Sequence, residues 1–234
     1  MTAPAMHSAP DSLVGEIELR RPYIGRFVPR PWRKYQIAEA DTLPESSVLT
    51  AIAAQRARGA GVLLVGLESD GGDVAAAFVI YDALQAFSRA GGIVVIYARG
   101  WNASTATLIA LAGDYLVADV SAEFAIHSMI GPDAQEDNRR VLETIAPRVL
   151  TPRAELAKWL TYVRHDSPGY IPGQPNVAKL DAALAINHGW ADLIGTREEA
   201  QAFASSLAAG SFPNGFPTPR RQALAERSAR HAGE

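Results

Sequence analysis

The stretch Gly92-Ile-Val-Val-Ile-Tyr-Ala-Arg-Gly-Trp-Asn-Ala-Ser-Thr-Ala-Thr-Leu-Ile-Ala-Leu-Ala-Gly113 decides the fold. Its opening, Gly92 to Ala98, is an unbroken run of β-branched, aromatic and small apolar residues, which predicts a buried strand. Its second half, from Ser104 to about Ala112, predicts a helix that stops at Gly113. Ser104 therefore stands on a rigid elbow where a strand turns into a helix. The first N–H groups of a helix have no intrahelical acceptor, and here they point toward that hydroxyl. A nucleophile whose reaction develops an oxyanion needs this combination.

Upstream, Val62-Leu-Leu-Val-Gly-Leu67 is a second continuous apolar run, and Ser69-Asp-Gly-Gly72 turns it into a helix predicted from about Asp73 to Arg89. Phe78, Val79, Tyr81, Leu84 and Phe87 make much of that helix's apolar side, Asp73 reads as an acid of its first turn, and Gly91-Gly92 ends it. Downstream, short strands are predicted near Tyr115–Ala118 and Glu123–His127, the latter closing on His127. Strand, helix, strand, helix in this order predicts an α/β protein of crossover units with a mostly parallel sheet. Three strand ends then carry a hydroxyl, an imidazole and a glycine turn, the parts of an acyl-transfer site.

The flanks are plainer. Val14 to Leu19 alternates as a half-exposed strand, residues 20–34 read as an irregular arm, and Pro44 opens a helix that runs to Ala54. Asp133 to Val163 is predicted helical, broken or kinked at Pro147, with Thr151 as N-cap before Pro152 at the first helical position. A loop over 164–179 precedes a helix Asp181–His188, a strand Trp190–Ile194 and a last helix over 196–208. The expected organisation is a disordered N-terminus at 1–12, one domain at 13–208 and a flexible tail at 209–234.

With 48% hydrophobic and 20% charged residues, the 234-residue chain has the balance of a globular domain. A net charge of −3 gives no reason to expect nucleic acid or an anionic membrane as partner. There is no cysteine, which excludes thiol nucleophiles, disulfides and thiolate metal sites. The five histidines have no metal-ligand spacing, so neither a metal nor a cofactor is expected. No signal peptide or spanning segment is visible, and a cytoplasmic location is expected.

The segments Glu68-Ser-Asp-Gly-Gly-Asp-Val74, Gly100 to Ser104, Ala125-Ile-His127 and Leu180 to Asp192 together resemble the proteolytic subunit of Clp-type proteases. The resemblance covers roughly residues 60–195. It implies a crotonase-like (ClpP-like) fold of repeated ββα and βαβ units, with residues 133–163 as a helical, handle-like extension. It also implies a serine peptidase with a Ser-His-Asp triad, a ring-shaped homo-oligomer and peptide or unfolded-protein substrates. Carried over, Ser104 is the nucleophile and His127 its general base, with the Gly72 and Thr105 backbone N–H groups as the oxyanion hole. Gly71 and Trp101 are candidates for lining the substrate groove.

The third member departs from the family pattern. The stretch where the family carries its aspartate is Gly173-Gln-Pro-Asn-Val-Ala-Lys179, so Asn176 and the upstream Asp166 stand as alternatives, while Asp181 reads as a helix cap. The sequence carries no recognisable docking segment for an unfoldase ATPase. A catalytically silent ring subunit and a crotonase-type acyl-coenzyme A enzyme remain the alternatives to an active peptidase.

Overall fold

A computed structural model of the chain describes residues 13–20, 23–25, 41–129, 133–161 and 177–210. The expected disordered N-terminus, most of the arm, Asp166, Asn176 and nearly all of the C-terminal tail lie outside the described residues. The elements in chain order are β1 (Leu13–Arg20), β2 (Tyr23–Ile24), β3 (Thr42–Leu43), α1 (Glu45–Ala57), β4 (Ala60–Ser69), α2 (Val74–Arg89), β5 (Ile93–Ala103) and α3 (Thr105–Ala110). They continue with β6 (Tyr115–Ala118), β7 (Glu123–Ile126), α4 (Ala134–Ile145), a 3₁₀ turn (Ala146–Arg148) and α5 (Arg153–Trp159). The last are β8 (Ala178–Asp181), α6 (Ala182–Asn187), β9 (Leu193–Ile194) and α7 (Arg197–Ala208).

The main sheet has the order β1-β4-β5-β6-β9, all parallel, and β7 and β8 extend it from the end of β5. The apolar run of β4 is continuous because both of its faces are covered. Leu63, Val65 and Leu67 face a core shared with Ala77, Ile80 and Leu84 of α2. Val62 and Leu64 join Val95, Tyr97, Tyr115 and Val117 beneath Phe203, Ala204 and Leu207 of α7. The Tyr115 and Phe203 rings meet edge to face at 5.1 Å. A capping box at Thr196 and Glu199 starts α7, and Arg197 ties it to Glu16 and Glu18 of β1.

A bulge sets the position of the site. Leu67 pairs with Ala98, but the next pairing is Ser69 with Asn102, so β5 carries two more residues than β4 over the same step. Gly100, at φ 53°, takes up the excess. Before the bulge β5 pairs with β6, and after it Trp101–Ala103 pair with Glu123–Ala125 of β7. The predicted strand ending at Ala98 is thereby carried on to Ala103, one residue short of the elbow.

Several local expectations are corrected. Val79 is 41% exposed, and Ile80 takes the core position instead. Pro152 is the N-cap of α5, whose first helical residue is Arg153. Thr151 Oγ1 instead accepts the Trp190 indole N–H at 3.2 Å, because that buried donor needs an acceptor. Asp73 is the N-cap of α2 and accepts the Ala76 N–H at 2.8 Å. Within the predicted 164–179 loop, Ala178 already belongs to β8, which pairs antiparallel with β7. The predicted strand at 190–194 narrows to Leu193–Ile194.

Candidate active site

Ser104 lies between β5 and α3 with φ 56° and ψ −125°, and among the described residues it is the one non-glycine at positive φ. An L-residue in such a conformation is strained, by about 1–3 kcal/mol, and persists only where its surroundings over-determine it. They do so here. The Ser104 N–H donates to the Ala125 carbonyl of β7 at 2.8 Å. Its own carbonyl accepts both the Thr107 N–H at 3.0 Å and the Thr107 hydroxyl at 2.6 Å. The elbow inferred from the sequence is a clamped turn that leaves the serine half-buried.

The glycine turn is pressed against this elbow. A Cβ on Gly71, at φ +88°, would come within 2.5 Å of the Ala103 oxygen, 2.7 Å of Ser104 Cβ and 3.0 Å of the Thr105 nitrogen. On its other side the turn is fastened by Ile24, a fully buried residue that sequence reasoning left inside the irregular arm. The Ile24 N–H donates to the Gly71 carbonyl at 2.9 Å and the Asp73 N–H to the Ile24 carbonyl at 2.8 Å. A Cβ on Gly72 would meet that Ile24 oxygen at 2.1 Å. The apolar pair Tyr23-Ile24 between Pro22 and Gly25 was the available signal. Among the described residues, neither the Gly72 nor the Thr105 backbone N–H finds an acceptor. Asp70, just before the glycines, has its carboxyl held above the ordinary range by partial desolvation.

His127 follows directly on β7, whose Ala125 pairs with Ala103. Register therefore brings Ser104 and His127 to the same sheet edge. No hydrogen bond joins the two, and such bonds commonly tighten only when substrate is held. His127 Nδ1 lies 2.7 Å from the Ser128 carbonyl. A carbonyl only accepts, so Nδ1 carries the proton and Nε2 is the basic nitrogen.

The remaining residues singled out in the sequence have neighbours of their own. The Trp101 ring, half-buried, is covered by the Lys179 ammonium 5.3 Å from its centre. Asp181 caps α6 by accepting the Leu184 N–H at 2.8 Å. His188 packs edge-on to Trp159 and contacts Thr151. Among the described residues no group of three histidines, aspartates or glutamates could hold a metal. Sequence reasoning also missed Asn102, fully buried, whose Nδ2 donates to the carbonyls of Arg99 at 3.0 Å and Gly100 at 3.3 Å and so splints the bulge.

The family model of the Clp protease matches residues 46–195, well over half of the chain. The chain belongs to the Clp protease family. The matched span runs from α1 through β9 and holds the glycine turn, the serine elbow and His127. Among solved structures, the chain is similar to a ClpP1 mutant from Listeria monocytogenes, with a TM-score of 0.59 at 16% identity over 80% of this chain and 94% of that one. At that identity the likeness concerns the fold, which is the ClpP-like α/β architecture expected from the sequence. No curated protein sequence matches the chain. Membership of the Clp family supports a ClpP-like peptidase as the general class. Among the described residues no helix is long and apolar enough to cross a membrane.

Proposed function

We propose that this Clp-family chain is a serine peptidase that cleaves peptide bonds through an acyl-enzyme on Ser104. The observation that carries the proposal is the strained, clamped elbow at Ser104, set by strand register at the same edge as His127. As Ser104 Oγ attacks the scissile carbonyl carbon, its proton passes to His127 Nε2. The tetrahedral oxyanion accepts the N–H groups of Gly72 and Thr105. Collapse breaks the C–N bond, and the leaving amine takes the proton from His127. Water then attacks the ester, gives a proton to His127 and releases the carboxylate as Ser104 recovers its own.

Either Asp166 or Asn176 would complete a family-type triad. The family also points to a ring-shaped homo-oligomer acting on peptides or unfolded chains, in the cytoplasm, and nothing in the sequence supports an unfoldase partner. Trp101 and Gly71 are proposed to border the substrate groove.

The test is labelling with a fluorophosphonate followed by mass mapping. Wild-type protein should be modified at Ser104, and Ser104→Ala should lose both the label and peptide turnover. An unmodified wild-type Ser104 would rule out the proposal in favour of a silent ring subunit, a reading that the missing Ser104–His127 hydrogen bond keeps in play.

A further inference from the structure

We infer that the Ser128–Met129 peptide group, anchored by the side chain of Asn138, orients the His127 imidazole, which makes Asn138 a positioning residue for the reaction proposed above. The inference rests on the serine-peptidase reading for its catalytic consequence, but not for the geometry itself.

The two hydrogen bonds belong to opposite ends of one peptide. Its carbonyl, from Ser128, accepts His127 Nδ1–H at 2.7 Å. Its N–H, from Met129, donates to Asn138 Oδ1 at 2.7 Å. A peptide is a planar plate, so fixing the N–H fixes the direction of the carbonyl. Both residues are buried, Ser128 at 4% and Met129 at 3% exposure, so water cannot readily replace Asn138 as acceptor for that N–H. A peptide already donating at one end is also a stronger acceptor at the other. Asn138 sits in α4, whose Val141 and Ile145 pack in the same core as Met129. The placement of α4 thus reaches the imidazole through a single peptide. The resulting Nδ1–H tautomer is the one a triad acid would impose, obtained here from a neutral dipole.

The experiment is imidazole-nitrogen NMR on the full chain with labelled histidine, alongside the rate of fluorophosphonate labelling and peptide kinetics. Wild type should show His127 as the Nδ1–H tautomer. Asn138→Ala should shift that population toward Nε2–H, slow labelling of Ser104 by about tenfold, the weight of one hydrogen bond, and lower kcat with KM held. Asn138→Asp, which keeps an acceptor for the Met129 N–H, should restore the tautomer and most of the rate. A structural role alone would not move the tautomer and be rescued by an acceptor. Wild-type tautomer and labelling rate in folded Asn138→Ala would overturn the inference. If that variant does not fold, an Nε2–H tautomer in wild type overturns it on its own. An Nδ1–H wild type whose Ser104 takes no label would support the orientation and overturn the peptidase reading.

Discussion

Gly71 packs directly against Ser104: a Cβ added at Gly71 would lie 2.7 Å from Ser104 Cβ and 2.5 Å from the Ala103 oxygen. The close approach lets the glycine turn present its backbone beside the hydroxyl. Gly71→Ala adds a methyl group against backbone atoms and places an L-residue at φ +88°. It should lower stability by about 1–3 kcal/mol in chemical denaturation and slow fluorophosphonate labelling of Ser104. A variant of wild-type stability that labels normally would show that the turn and elbow need not touch.

Strain at Ser104 gives a prediction independent of activity. Ser104→Ala and Ser104→Gly both remove the hydroxyl, but only glycine relaxes φ 56°. Relief of about 1–3 kcal/mol, less the greater unfolded-state freedom of glycine at about 0.5–1 kcal/mol, leaves glycine ahead. Ser104→Gly should therefore unfold at higher denaturant than Ser104→Ala, by about 1 kcal/mol. Equal stabilities would mean that the elbow is not held under strain.

Asn102 is the splint of the bulge that carries β5 to the elbow. Asn102→Ala removes two hydrogen bonds at a fully buried position, so it should cost about 1–3 kcal/mol of stability. Because Ser104 follows two residues later, its labelling should slow as well. Loss of stability with wild-type labelling would confine Asn102 to the fold.

The parts of this molecule that are written locally could be read from the sequence. The two apolar runs, the glycine pair and the serine at a strand-to-helix junction each announce themselves within about ten residues, and the sheet they imply is the one formed. The parts set by pairing at a distance could not. Ile24 fastens a turn almost fifty residues away through two backbone hydrogen bonds that leave no side-chain signature. The bulge at Arg99 and Gly100 exists only relative to the register of β4. Asn138 looks like any polar residue of an amphipathic helix until Met129 is seen against it. Thr151, a plausible cap by position, was drawn to Trp190 instead.

Tyr97 and Asp119 give a prediction in pH. The Tyr97 hydroxyl donates to Asp119 at 2.7 Å, and burial together with that carboxylate pushes the phenol up to about 12. Asp119 is held below the usual carboxylate range, chiefly by the Ser121 hydroxyl and N–H and also by Tyr97. A phenol raised in the folded state contributes stability that is complete below its unfolded value of about 10 and is lost as pH rises through about 12. A carboxylate lowered in the folded state contributes stability above its unfolded value and loses it as pH falls through the lower one. Ultraviolet titration should find a tyrosine ionising near 12, and Tyr97→Phe should remove one phenol from that late step. The same variant should lose about 1 kcal/mol near neutral pH and show a shallower alkaline decline in stability. An unchanged amplitude of the late step in Tyr97→Phe would show that Tyr97 is not raised by burial and Asp119.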